Sequence, residues 1–308
     1  MYNNKIIHMI IGNKYKLLNL IGSGLFGTIY KGENINTGET VAIKVEPLNN
    51  STKLLKNETK VYHYLNFNCN KKKDVGIPKV KWFGVDDENY YMVIELLGPS
   101  LQSIKEERES FSLKTIIELG IQLIRRVEFL HNLGLIHRDI KPDNFLLGLG
   151  LNKNTIYMID FGFCKKYEQD DDVGKYKNDN GKSNIDCKEY SDQLSRTHKK
   201  RESIIGTPNY VSINVHKYND PERKDDLESV CYMLLYFYLG KLPWDLPNIT
   251  NEQILEMKID LITEEKQKEI IPSFFLKLIF LVQNTQGKPK YNELVNILFE
   301  SLSNVYNK

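Results

Sequence analysis

The hydrophobic pattern of this chain changes period partway along, and that change limits the fold more than any other feature. Up to about residue 97 the apolar residues come in short β-branched or aromatic runs, LLNLIGSG, GTIYKGE, TVAIKVE and NYYMVIELL, each bounded by Gly, Asn or Asp. This is strand patterning punctuated by turns. One helical stretch, LLKNETKVYHYL, interrupts it. From Ser112 the spacing becomes three and four: Leu113, Ile116, Ile117, Gly120, Leu123, Ile124, Val127 and Leu130 form one helix face, with Ser112 placed to cap it and Gly134 to stop it. A second helix is predicted from about Asp225 to Leu239; it is apolar on nearly every side after its first turn, which predicts a buried central element. A strand-rich first third before a helical remainder predicts an α+β protein of two lobes, one at about 15–95 and one at about 99–302, with a hinge near 95–98.

With 308 residues, 41% apolar and 27% charged, the chain is long enough for each lobe to bury a core. Its 42 basic residues stand against 40 acidic ones, so no global field favours nucleic acid or an anionic membrane. The longest apolar runs, VCYMLLYFYLG and FFLKLIFLV, fall short of the roughly 20 residues a membrane span needs. The start, MYNNKIIHMIIGNKYKL, is too interrupted for a signal peptide. Cys69, Cys164, Cys187 and Cys231 form neither a CxxC pair nor a metal-ligand cluster and read as reduced thiols. A cytoplasmic or nuclear protein is expected. The segment 167–203 is polar, poor in aliphatics and rich in turn formers, and reads as a flexible insertion.

Four short strings carry chemistry. IGSGLFGTIYKG places Gly22, Gly24 and Gly27 between two strand-like segments, where glycines let the backbone approach phosphates and Phe26 can cover them. GxGxxG alone equally marks a glycine hairpin; a dinucleotide fingerprint should run into a helix, and TIYKGE continues as strand. VAIK ends at Lys44, behind the glycine loop and among Val41, Ala42 and Ile43, which fits a strand lysine reaching the α and β phosphates rather than a solvated one. Glu58, on the following helical stretch, is the best anionic partner for it, the alternative being an exposed helix carboxylate. In LIHRDIKPDNFLLG the DxxxxN spacing sets Asp139 to accept a hydroxyl proton and Asn144 to offer an amide oxygen to Mg²⁺, while Lys141 can neutralise a transferring phosphoryl group. MIDFG then supplies Asp160 as a second metal ligand, a carboxylate.

With the strings ELLGPSL at 95–101, HRDIKPDNFL at 137–146, SIN at 212–214, DDLES at 225–229 and LPW at 242–244, the chain resembles the casein kinase 1 family of serine/threonine kinases from about residue 12 to 302. The resemblance implies a bilobal protein-kinase fold and an ATP- and Mg²⁺-dependent, monomeric enzyme acting on acidic or phosphorylated proteins. It implies nucleotide contacts from Ile21, Gly22, Ser23, Gly24, Phe26, Gly27, Ile29, Ala42 and Lys44, a gatekeeper at Ile94, and an adenine-binding hinge at Glu95 to Leu97. Asp226 matches the aspartate that braces the catalytic loop; it can also be a helix N-terminal carboxylate favoured by the macrodipole. The family carries SIN where other kinases have APE. The vaccinia-related kinases also depart from APE, but their catalytic loop and metal tripeptide usually differ from HRDIKPDN and DFG.

Two departures stand out. The family's basic residue in the GTxxY stretch, part of an anion site for substrates already phosphorylated upstream, is replaced by Asn209, and a neutral amide cannot make the charge-assisted bonds a phosphate wants. Lys199, Lys200, Arg201, Arg223 and Lys224 either compensate or are solvated charges. The stretch from Asp160 to Gly206 is also longer than the family pattern. Family members often carry an inhibitory tail after the last helix, and none is visible, so activity without an activation-loop phosphate is expected. A pseudokinase scaffold is the non-enzymatic alternative, weighed against by the presence of Lys44, Glu58, Asp139, Asn144 and Asp160. A small-molecule kinase is disfavoured by the GTPxY and SIN segment.

Overall fold

The computed structural model describes residues 9–24, 27–50, 54–69, 76–108, 110–167, 203–263 and 270–306. Phe26, Cys187, Lys199, Lys200, Arg201 and residues 168–202 of the expected insertion lie outside the described residues. The chain forms two compact units: Met1–Pro99 with Leu146–Gly162, and Ser100–Phe145 with Phe163–Lys308.

The first unit is built on an antiparallel sheet of β1 (Ile10–Ile11), β2 (Tyr15–Gly24), β3 (Gly27–Asn34), β4 (Thr40–Pro47), β5 (Val80–Val85) and β6 (Asn89–Glu95), in the order β1-β2-β3-β4-β6-β5. Side chains alternate across β4. Val41, Ile43 and Val45 join Ile11, Tyr15, Leu17, Tyr91 and Val93 in the core, which leaves Ala42, Lys44 and Glu46 for the opposite face. Helix α1 (Leu54–Cys69) buries Leu54, Leu55, Glu58, Thr59, Tyr62 and Leu65, one stripe at helical spacing. Its first turn holds no acidic residue; the fully buried Glu46 carboxylate accepts hydrogen bonds from the Leu54 amide at 3.2 Å and the Leu55 amide at 2.7 Å. A strand residue therefore caps the helix, satisfying donors the helix cannot satisfy itself. The short strand Ile156–Met158 leads into Asp160 and Phe161, whose ring meets Tyr62 edge-on at 4.8 Å.

The second unit is mainly helical. It contains α2 (Leu101–Glu107), α3 (Leu113–Asn132), α4 (Ile213–His216), α5 (Arg223–Leu239), α6 (Asn251–Thr263), α7 (Ser273–Gln283) and α8 (Tyr291–Tyr306). Ser100, Ser112 and Ser212 cap α2, α3 and α4 by accepting amide hydrogen bonds. Helix α5 is buried from Asp225 to Leu235, as its all-round apolar sequence predicts. Among the described residues no helix is long and apolar enough to cross a membrane.

A β-rich unit and a mainly helical one make the α+β bilobal architecture expected from the sequence. Three details add to it. The sheet begins ahead of residue 15, because Ile10 and Ile11 pair with Lys16 and Tyr15. Residues 146–162 pack with the first unit, not the second. Strand β5, VKWFGV, is not singled out by the sequence reading, which has no clean alternation to find in a run of Val, Trp, Phe, Gly and Val.

Candidate active site

One group of candidate residues lies in each unit. In the first, Lys44 on β4 places its Nζ 2.7 Å from Glu58 Oε2 on α1 and 3.4 Å from Asp160 Oδ1. Glu58 is 2% exposed and Lys44 14% in their side chains, so the pair is shielded but reachable at the lysine. Burial alone would lower the Lys44 pKa; the two carboxylates outweigh it and raise it above the ordinary lysine range. For Glu58 burial is the larger effect and pushes its carboxyl up to about 7, against the Lys44 ammonium and with help from Asp160. With two carboxylates sharing one ammonium, Lys44 stays charged, and a proton taken up goes to Glu58.

Asp160 has φ of 63°, an uncommon backbone for a residue with a Cβ, and its amide donates to Tyr62 Oη at 3.2 Å. At the β2–β3 turn Gly27 has φ of 143°, and a Cβ there would lie 2.2 Å from the Val45 carbonyl oxygen. Gly22 and Gly24 meet no such clash, so packing among the described residues does not account for their lacking a side chain. Ile21 is exposed on β2, near Ser23 in the same strand, and Ile29 sits opposite Lys44 in the ladder. Ala42 pairs with Ile94. The Glu95 amide donates to the Lys79 carbonyl at 3.0 Å, and Leu97 lies in the stretch just beyond β6.

In the second unit Asp139 is 5% exposed and both its oxygens are held. Thr207 Oγ1 donates to Oδ1 at 2.9 Å; Lys141 Nζ lies 3.0 Å and Asn144 Nδ2 3.2 Å from Oδ2. Asn144 Nδ2 also donates to the Asp139 carbonyl at 2.8 Å, which turns the amide oxygen away from the aspartate. Asp226 on α5 accepts from the amides of His137 at 2.7 Å and Arg138 at 2.9 Å, and from His131 Nε2 at 2.9 Å. Burial would raise Asp226; the His131 hydrogen bond, the charges of His131 and His137 and the His137 amide override it and hold the carboxyl below its usual range. Arg138 has φ of 70°, so these bonds fix a backbone that would otherwise relax.

The residues standing where APE is absent are all engaged. Ser212 caps α4, the Ile213 amide donates to Glu228 Oε1 at 2.9 Å, and Asn214 Nδ2 donates to Asp225 Oδ2 at 2.9 Å. The Asn209 carbonyl accepts from Trp244 Nε1 at 2.9 Å. Of the cations considered as replacements for the charge missing at Asn209, Arg223 stacks on Tyr167 at 4.7 Å and Lys224 lies 3.6 Å from Glu222. Tyr167, the first residue of the expected insertion, is itself tethered through its hydroxyl to the His131 carbonyl at 2.5 Å.

The sequence alone assigns no role to Thr207, His131, Tyr291 or Glu46. Thr207 was legible as part of GTPNY, and Glu46 as a second charge on the Lys44 face of β4. His131, which bridges Asp226 and the Tyr291 hydroxyl, looks like any polar residue at a helix end. A family model for the protein kinase domain matches residues 15–300, a span containing both groups. The chain therefore belongs to the protein kinase family, phosphotransferases that use ATP, usually with Mg²⁺, to modify proteins.

Proposed function

We propose that this chain is a Mg²⁺-dependent serine/threonine protein kinase of the casein kinase 1 type, acting as a monomer on acidic protein substrates. The observation that carries the reading is the triple grip of Thr207, Lys141 and Asn144 on Asp139. A carboxylate so fixed can orient a substrate hydroxyl and take its proton as that oxygen bonds to the terminal phosphorus of ATP and the bond to ADP breaks. Lys141 stands beside it to offset charge on the transferring group. Lys44, kept protonated, serves the α and β phosphates, and Glu58 keeps it aimed. Gly22, Gly24 and Gly27 would admit the phosphates, with Ile21, Ser23, Phe26, Ile29 and Ala42 around the nucleotide; Ile94, Glu95 and Leu97 would meet adenine.

The Asn144 amide oxygen and the Asp160 carboxylate are hard oxygen donors suited to Mg²⁺. Among the described residues no group of three or more His, Cys, Asp or Glu is placed to hold a metal ion. When bound, the ion neutralises phosphate charge.

The Lys44–Glu58 bond already made at 2.7 Å supports activity without activation-segment phosphorylation, as does the engagement of Arg138 Nε with the Phe163 carbonyl at 2.6 Å. Phosphatase-treated protein should therefore phosphorylate casein, with phosphate found only on Ser and Thr; inert protein revived by an upstream kinase refutes this. Asp139→Asn should lose about 10²- to 10⁴-fold in kcat. Equal incorporation by variant and wild type would instead favour a scaffold that merely keeps the fold. The reading of Asn209 is tested with peptides bearing or lacking a phosphoserine three residues upstream: little difference is expected.

A further inference from the structure

Helix α6 carries a side chain that none of the sequence motifs accounts for. Lys258 is 0% exposed. Its Nζ donates to the carbonyls of Val211 at 2.6 Å and Pro208 at 2.9 Å, and lies 3.1 Å from His216 Nε2. The faces of Tyr232 and Trp244 close over it, 4.7 and 5.1 Å from ring centroid to nitrogen. A sealed ammonium or amine is costly and is retained where its donors are needed.

Those donors go to one turn. The amides of Tyr210 and Val211 both donate to the Thr207 carbonyl, at 2.9 and 3.1 Å, so residues 207–211 close on Thr207. Gly206, just before it, has φ of 101°, and a Cβ there would lie 2.6 Å from the Arg138 carbonyl, so the turn begins pressed against the loop that carries Asp139. From the other side Glu228 accepts the Ile213 amide. The backbone of 208–213 is thus gripped by a lysine at two of its carbonyls and a glutamate at one of its amides.

We propose that Lys258 is a positioning residue for phosphoryl transfer: by fixing the Pro208 and Val211 carbonyls it holds Thr207 where its hydroxyl meets Asp139. The inference rests on the reading of Asp139 as the catalytic carboxylate. It does not depend on whether Lys258 is charged. Burial pushes its pKa well down, against the pull of Glu228, and burial followed by the nearby lysine lowers His216 to about 4; an amine still has two N–H groups for the two carbonyls.

The test is a kinetic cycle on the full chain with ATP and casein, using Lys258→Met, Thr207→Val and the double variant. Lys258→Met keeps length and removes every donor; kcat should fall about ten- to a hundredfold with KM for ATP unchanged. Lys258→Gln, which keeps an NH₂ group, should recover part of the loss, and it replaces Lys258→Met in the cycle should the latter not fold by circular dichroism. If Lys258 works through Thr207, the double variant falls no lower than the worse single. Wild-type kcat in a folded Lys258 variant, or losses that multiply in the double variant, overturns the proposal. Asp139→Asn is run alongside: full activity there sinks the reading of the site itself, whereas a dead Asp139→Asn beside a fully active Lys258→Met sinks only the positioning role.

Discussion

Lys44, shielded but reachable, and Lys258, sealed from water, lie one in each unit, and they are withdrawn from solvent for opposite ends. Around Lys44 stand two carboxylates, at 2.7 and 3.4 Å. Around Lys258 stand two carbonyls, an imidazole and two aromatic faces. Burial works against the ammonium in both places and is the largest effect in each; what differs is a full negative charge within hydrogen-bond reach. With it, Lys44 is held charged, fit to serve an anionic ligand. Without it, Lys258 is pushed down and its value lies in N–H geometry. Counting buried lysines says little about function until their partners are known.

The comparison breaks most violently at Lys44. Lys44→Met should cost more than about a hundredfold in kcat/KM for ATP. It also leaves Glu58 sealed beside Asp160 with no cation, a loss of about 3 kcal/mol in unfolding free energy. That loss should be larger at pH 8 than at pH 6. Glu58, already raised to about 7, is raised further without its lysine, so stability present below the ordinary glutamate pKa is lost as pH rises through the folded value. Equal denaturation midpoints at both pH values would contradict this. Lys258→Met should cost less stability, and the difference should shrink as pH falls below the ordinary lysine range. The unfolded lysine takes up a proton that the buried one forgoes, so the wild type is penalised increasingly as pH falls.

Next in size is Glu46→Ala. Stripping the cap from α1 should cost about 1–2 kcal/mol and raise KM for ATP, since the helix it anchors carries Glu58. The smallest effect is on the wild type. Between pH 8 and 6 its KM for ATP should rise about threefold as Glu58 takes a proton and loosens its hold on Lys44. A flat profile would show that Asp160 alone suffices to hold the lysine.

The same pair shows what the sequence could disclose. Lys44 was legible because its neighbours in the chain are diagnostic: a charge among Val41, Ala42 and Ile43, behind a glycine turn, has few other uses. Lys258 sits in QILEMKIDLI, where a lysine looks like the wet side of a helix. Its partners are Pro208, Val211 and His216, brought to it only by folding. Glu46 falls between these cases, since its place on the Lys44 face follows from strand alternation but its helix partner does not. The lobes were readable from the change of period, and the caps at Ser112 and Gly134 from local chemistry. The return of 146–162 to the first unit was not, because nothing in those residues names the unit they pack with.

That return bears on how the protein is made. The six-stranded sheet and α1 are complete in sequence by Pro99, yet Phe161, which packs on Tyr62 of α1, is synthesised only after the whole of α3. A chain emerging N-terminal end first must hold its first unit unfinished while the second begins. A fragment ending at Pro99 would lack the hydroxyl's partner at Asp160 and the ring against Tyr62. The two units cannot be divided by a single cut in the chain.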